Sequence, residues 1–132
     1  MSDLSGLTRQ SIRGVLAMTA GGALVIAFGC RRVVVRGASM LPALRPGDRL
    51  LLVPPWRLKP GQVVALRDPR QPKRLLVKRM ADIDRSSGTV TVRGDNPGAS
   101  TDSAVFGAVP LGSVVGRAVY RYAPPDRAGP LP

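Results

Sequence analysis

LRPGDRLLLV, residues 44–53, and LKPGQVV, residues 58–64, repeat one phrase: an apolar residue, a basic residue, Pro-Gly, a polar residue and an apolar run. Proline at the first central position of a turn presets φ, and glycine at the second supplies the positive φ that a type II turn requires. Each phrase therefore predicts a tight turn that feeds a strand. Working outward, short β-type runs recur at 33–35, 49–53, 62–66, 74–80, 89–93 and 114–122, with Pro/Gly turns between them. Spacing of that kind predicts a mainly β domain. The repeated phrase is turn chemistry recurring and not a duplicated domain.

The chain has 132 residues and a formal charge of +12, from 20 basic residues against 8 acidic ones. The basic set is 17 Arg and 3 Lys, and every acidic residue is Asp. Such a field suits anionic partners, whether nucleic acid or a lipid surface, and equally suits a solvated surface with no anionic partner. Two Phe, two Tyr and one Trp are too few and too scattered for a base-stacking platform, so no nucleic-acid partner is expected. With no His and only Cys30, the sequence excludes a Ser-His-Asp triad, a zinc or iron–sulfur centre and a disulfide within one chain. No metal or other cofactor is expected.

Residues 1–13 form a polar N-terminal segment, and residues 14–30 (GVLAMTAGGALVIAFGC) run without a charge up to Arg31 and Arg32. As a helix this run spans about 25 Å at ~1.5 Å per residue. Arginines that snorkel at both ends extend it toward the hydrocarbon thickness of roughly 30 Å. It reads as one transmembrane anchor; a signal-like segment and a buried soluble helix are the alternatives. The tail 123–132 (APPDRAGPLP) is rich in proline and poor in apolar residues, which predicts a flexible segment.

Ser39, in GASMLPALRPGD, lies between a valine run and the first Pro-Gly turn, and with no histidine it needs another base. Lys59 precedes a turn and Lys73 is expected in a polar loop, DPRQPKR, so both are expected to be solvated and protonated. Lys78 differs, because in RLLVKRM the period of two puts it on one face with Leu76 and Met80, while Val77 and Arg79 point the other way. Desolvation on such a face favours the neutral amine, which can act as a general base. The same spacing also fits a strand lysine that snorkels past apolar neighbours. The stretch RGDNPGASTDSAVFG, residues 93–107, adds Ser100 and Ser103, whose hydroxyls could orient an amine, and Asp95 and Asp102, which could brace the loop.

Taken in order, GASMLPALRPGDRLLL, LLVKRM and RGDNPGASTDS followed by FGAVPLGSVVGRA resemble the nucleophile, lysine and closing boxes of the type I signal peptidases. These are membrane-bound serine-lysine endopeptidases that remove leader peptides. The resemblance covers most of residues 33–120. It implies a small β domain of coiled antiparallel sheets over 33–122 behind one transmembrane helix, with Ser39 as nucleophile and Lys78 as general base. It further implies that Ser100 orients the lysine amine and that Asp102 is the structural carboxylate of the closing box. Val35, Met40, Leu44 and Val77 are candidates to line shallow substrate pockets, although core packing would explain them equally. Gly37 stands where many relatives carry a serine that adds an oxyanion contact, and Ala104 where an arginine usually follows the DS pair.

The implied partners are precursor proteins with leader peptides and membrane lipid. The basic residues flanking 14–30, Arg9 and Arg13 before and Arg31, Arg32 and Arg36 after, lean toward a cytoplasmic catalytic domain. The resemblance implies the extracytoplasmic side, and it weighs more because long domains translocate largely regardless of charge. A dedicated maturase resembling those that trim nickel superoxide dismutase is the near alternative. A self-cleaving repressor of the SOS type would need a DNA-binding helical domain and an internal scissile bond upstream of Ser39, and the sequence offers neither.

Overall fold

The computed structural model describes residues 30–131. The polar segment 1–13 and the anchor 14–30, apart from Cys30, lie outside the described residues. Among those described, no helix is long and apolar enough to cross a membrane.

The strands are β1 (Arg31–Val34), β2 (Arg49–Val53), β3 (Val63–Asp68), β4 (Gln71–Asp84), β5 (Thr89–Arg93), β6 (Val109–Pro110), β7 (Val114–Ala123) and β8 (Gly129–Pro130). One short helix, α1 (Ser103–Phe106), lies between β5 and β6. The strands form one eight-stranded sheet in the order β1-β2-β7-β3-β4-β5-β6, with β8 added to β7. The pairings from β2 onward are antiparallel. The mainly β expectation holds, as one continuous sheet in place of separate ones.

Both Pro-Gly phrases form the turns that their residues dictate. Asp48 N–H donates to Arg45 C=O at 3.0 Å and Gln62 N–H to Lys59 C=O at 3.3 Å. Gly47 and Gly61, in the second central positions, each take φ 92°, which is costly for any residue with a Cβ. The first turn delivers β2 and the second delivers β3.

Strand β3 explains why the sheet carries two cores. Val63, Val64, Ala65 and Leu66 are all buried, so both faces of this central strand are covered, as a continuous apolar run predicts. Val63 and Ala65 join Val35, Met40, Leu44, Leu50, Leu52 and Ala118 in one cluster. Val64 and Leu66 join Leu58, Met80, Val90, Val92, Val109 and Val114 in the other. Strand β4 alternates between the two: Val77 packs on the first cluster, Leu76 and Met80 on the second.

Two expectations are corrected. The tail is not loose: β8 pairs with β7 at Tyr120↔Pro130 and Arg121↔Gly129, and Leu131 N–H donates to Val119 C=O at 2.9 Å. The reason is a buried carboxylate, Asp48, which accepts from the Arg45 N–H at 2.9 Å, from Arg121 at 3.2 Å and from Arg127. Arg127 therefore anchors the proline-rich segment that composition alone leaves unattached. Lys73 lies within β4, not in a loop, because β3 and β4 form a hairpin that turns between Asp68 and Gln71.

Candidate active site

Ser39 follows β1 in a turn that its own neighbours fasten to the core. Met40 and Leu44, each 1 % exposed, plug into the first apolar cluster, and Leu44 N–H donates to Met40 C=O at 2.9 Å. The turn is also tied to the closing loop. Asn96 N–H donates to Ser39 C=O at 2.8 Å, and Asn96 Nδ2 donates to Ala38 C=O at 3.1 Å. Two hydrogen bonds from one residue fix the carbonyls of Ala38 and Ser39, on either side of the Ser39 Cα. Asn96 carried no role in the sequence reading; an Asn-Pro pair in a turn-rich loop was its only signal.

Lys78 projects from β4 on the face shared with Leu76 and Met80 and is 4 % exposed. Its Nζ donates to Ser100 Oγ at 3.2 Å, and the Ser100 hydroxyl donates to Asp102 Oδ2 at 3.1 Å. Asp102 is braced in turn by the Gly94 N–H on Oδ2 at 2.8 Å and the Ala104 N–H on Oδ1 at 2.9 Å, the second bond capping α1. Burial pushes the Lys78 amine below the usual lysine range, Asp102 pulls it back up in part, and Arg70 pushes it down again. Burial alone would raise the Asp102 carboxyl, but the Gly94 and Ala104 N–H groups and the Ser100 hydroxyl outweigh it and hold the group ionised. A hydroxyl thus separates the amine from the carboxylate, which weakens the pull toward a lysinium–aspartate pair.

The other members of the closing stretch serve as framework. Ser103 does not reach the amine; its buried Oγ accepts from the Val92 N–H at 2.9 Å. Asp95 braces the loop through a side chain instead of the backbone, accepting from Arg79 Nε at 2.9 Å and Nη2 at 2.8 Å. Arg79 also donates to Gly61 C=O at 2.8 Å, so the residue after Lys78 clamps the second Pro-Gly turn to the loop that carries Ser100.

Ser39 and Lys78 open onto one cleft of about 580 Å³. One wall is the segment from Val33 to Ser39, the other runs from Arg74 to Lys78, and Arg70, Ala99 and Thr101 complete it. Of the four pocket candidates, Val35 and Val77 line this cleft. Met40 and Leu44 do not; they are core, because the turn after Ser39 points them inward. Gly37 contributes backbone to the cleft and no hydroxyl. Both walls are strand edges: β1 ends the sheet, and β5 pairs with β4 only from Arg79 onward. Among the described residues, the stretch of β4 before Arg79 therefore has backbone groups on one side that no strand takes up.

The family described as signal peptidase, peptidase S26, matches residues 8–83, a stretch that includes Ser39 and Lys78 and stops before Ser100. Subunit 1a of the mitochondrial ATP-independent inner membrane protease of Arabidopsis thaliana is 33% identical over 122 residues, covering 74% of this chain and 73% of that protein. Subunit 2 of the mitochondrial inner membrane protease is 32% identical over 117 residues in both Danio rerio and Homo sapiens. Those alignments cover 70% of this chain, and 64% and 67% of the respective relatives. By the extent of these matches, the chain belongs to the signal peptidase, peptidase S26, family.

Proposed function

We propose that the protein is a serine endopeptidase that removes leader peptides from precursor proteins, with Ser39 as nucleophile and Lys78 as general base. The observation that carries this reading is the placement of Lys78: buried, bonded to a neutral hydroxyl and open to the same cleft as Ser39. Burial of that kind disfavours the charged ammonium, so the neutral amine that can take a proton is easier to reach. Ser39 Oγ attacks the scissile carbonyl while Lys78 Nζ accepts the hydroxyl proton. The tetrahedral oxyanion meets the Ser39 N–H, which donates to no other group among the described residues. Lys78 then passes its proton to the leaving amine, and the C–N bond breaks to leave an ester on Ser39. Lys78, neutral again, takes a proton from a water that attacks the ester; the bond from Ser39 Oγ to the acyl carbon then breaks, Lys78 returns the proton to Ser39 Oγ, and the acid is freed.

The substrate lies extended in the cleft and uses the unpaired edges of β1 and β4 as hydrogen-bonding partners, a form of strand addition. Val35 and Val77 offer shallow apolar contact on either wall, which suits small side chains next to the cut. Residues 14–30 anchor the enzyme in a membrane with the catalytic domain on the extracytoplasmic side. The three relatives are named as subunits of mitochondrial inner membrane proteases, and this supports the membrane setting.

The test is cleavage of a leader-derived peptide by Ser39→Ala, Lys78→Ala and Lys78→Arg variants. Each is expected to lose at least about three orders of magnitude in kcat/KM. Lys78→Arg decides the role, since a guanidinium keeps the charge and cannot act as a base. Near-normal cleavage by that variant would overturn the assignment.

A further inference from the structure

The β3–β4 hairpin holds a charge cluster that exchanges no proton in the proposed reaction. Asp68, at the end of β3, is fully buried, and two arginines converge on it. Arg70 donates to Oδ1 from its N–H at 2.9 Å and from Nε at 3.1 Å, and to Oδ2 from Nη2 at 3.0 Å. Arg74 donates to Oδ2 from Nη2 at 2.8 Å and from Nε at 3.2 Å. Burial works to raise the Asp68 carboxyl, but the Arg70 and Arg74 bonds bring it down to about 2, so the carboxylate stays charged while both guanidiniums are pinned.

One carboxylate and two guanidiniums leave one positive charge in excess, and that excess faces the cleft. Arg70 and Arg74 both line it, with side chains 46% and 54% exposed. Arg36, exposed and on the opposite wall, lines it too. A hairpin staple would need only Arg70, which already makes three bonds to Asp68. The second arginine is redundant for the turn and leaves planar donors held still at a wet surface, which is what recognition of a carboxylate requires. Along an extended strand, Arg74 lies about 13 Å from Lys78, the length of roughly four residues of a peptide running beside it.

We infer that Arg70 and Arg74, with Arg36, form a subsite that takes an acidic side chain of the precursor, within about four residues of the bond that is cut. The inference rests on the endopeptidase reading and adds to it a substrate class. Aspartate or glutamate at that position places a carboxylate against guanidiniums that Asp68 has already oriented, so little side-chain freedom is lost on binding.

The test uses the full chain in detergent micelles and fluorogenic peptides with small residues around the cut. Aspartate is moved singly through five positions before and three after the scissile bond. At one position the ratio of kcat/KM for the Asp peptide to the Ala peptide is expected to be about fivefold, what a half-exposed ion pair supplies. In Arg74→Gln, where Arg70 still satisfies Asp68, that ratio should collapse toward one. Arg74→Lys should restore part of it, and 0.5 M NaCl should lower it in the wild type. A ratio of one at every position, or a preference that survives Arg74→Gln, overturns the subsite. So does a finding that Arg74→Gln weakens binding to phosphatidylglycerol vesicles while the peptide ratio stands, since the arginines would then face lipid. If the wild type cuts no peptide of the series, the endopeptidase reading has failed and the subsite falls with it; cutting without an acidic preference sinks the subsite alone.

Discussion

Gly94 sits where the two halves of the proposed dyad meet, and replacing it with alanine tests whether their spacing matters. A Cβ built there comes within 2.1 Å of Ser100 Oγ, 2.6 Å of Ser100 Cβ and 2.7 Å of Ser39 O. Ordinary contact begins at 3.4 Å, so the Ser39 carbonyl must retreat by ~0.7 Å and the Ser100 hydroxyl by more than 1 Å. Neither can move alone, because Asn96 holds that carbonyl and Lys78 and Asp102 hold that hydroxyl. A displacement of about 1 Å in positioned reacting groups costs about 10²-fold in rate. Overpacking at a buried site costs roughly 1–3 kcal/mol, which lowers Tm by about 4–8 °C per kcal/mol in a domain of this size. Peptide cleavage and thermal unfolding measured side by side should show a large fall in kcat with a folded protein at assay temperature. Gly98→Ala is the matched control, since a Cβ there meets only Asn96 Oδ1, at 4.0 Å, and should leave rate and Tm within error. Cleavage by Gly94→Ala at more than half the normal rate would refute the argument that Ser39 and Ser100 are held in one rigid frame.

Activity should rise with pH as Lys78 loses its proton, with a limb below the ordinary lysine value of 10.5 because burial lowers it. Arg70→Gln removes a charge that pushes the amine down and should move the limb to higher pH; Asp102→Asn removes one that pulls it up and should move the limb lower. Profiles of kcat/KM between pH 5 and 10 check both, and equal shifts in one direction would contradict the electrostatics. Stability should depend on Asp48, which burial works against but which the Arg45 N–H and the Arg127 and Arg121 side chains hold below the usual carboxylate range. A depressed folded value means that its contribution is present above the unfolded value of about 3.9 and fades as pH falls through the folded one. Asp48→Asn should cost about 3 kcal/mol at neutral pH, the low end for a buried pair because both arginines keep some solvent contact. Urea unfolding measures it, and Arg127→Ala should show part of the same loss together with faster proteolysis of the last residues.

The longer strands and the apolar setting of Lys78 were legible in the sequence for local reasons. Pro-Gly at 46–47 and 60–61 dictates turns whatever surrounds them, and the apolar run of β3 and the alternation of β4 dictate which side chains are covered. Lys78 stood out because a period of two places it among Leu76 and Met80, a relation that needs no tertiary knowledge. Strands β6 and β8 were not legible: two residues carry no period, and each exists only because β5 or β7 offers it an edge.

What the tertiary structure alone decided is which polar groups meet. Nothing in the chain order shows that Asn96 would grip the Ala38–Ser39 peptide, that Ser103 would turn to Val92 while Ser100 turned to Lys78, or that Arg127 would reach Asp48. These contacts span 11 to 79 positions of sequence. The sequence by itself determines local conformation and the pattern of burial, because backbone sterics and apolar periodicity act between neighbours. Partner choice among seventeen arginines and eight aspartates depends on which strands the sheet brings side by side, and only the assembled sheet places Met40 and Leu44 in the core and Arg70 and Arg74 on the wall of the cleft.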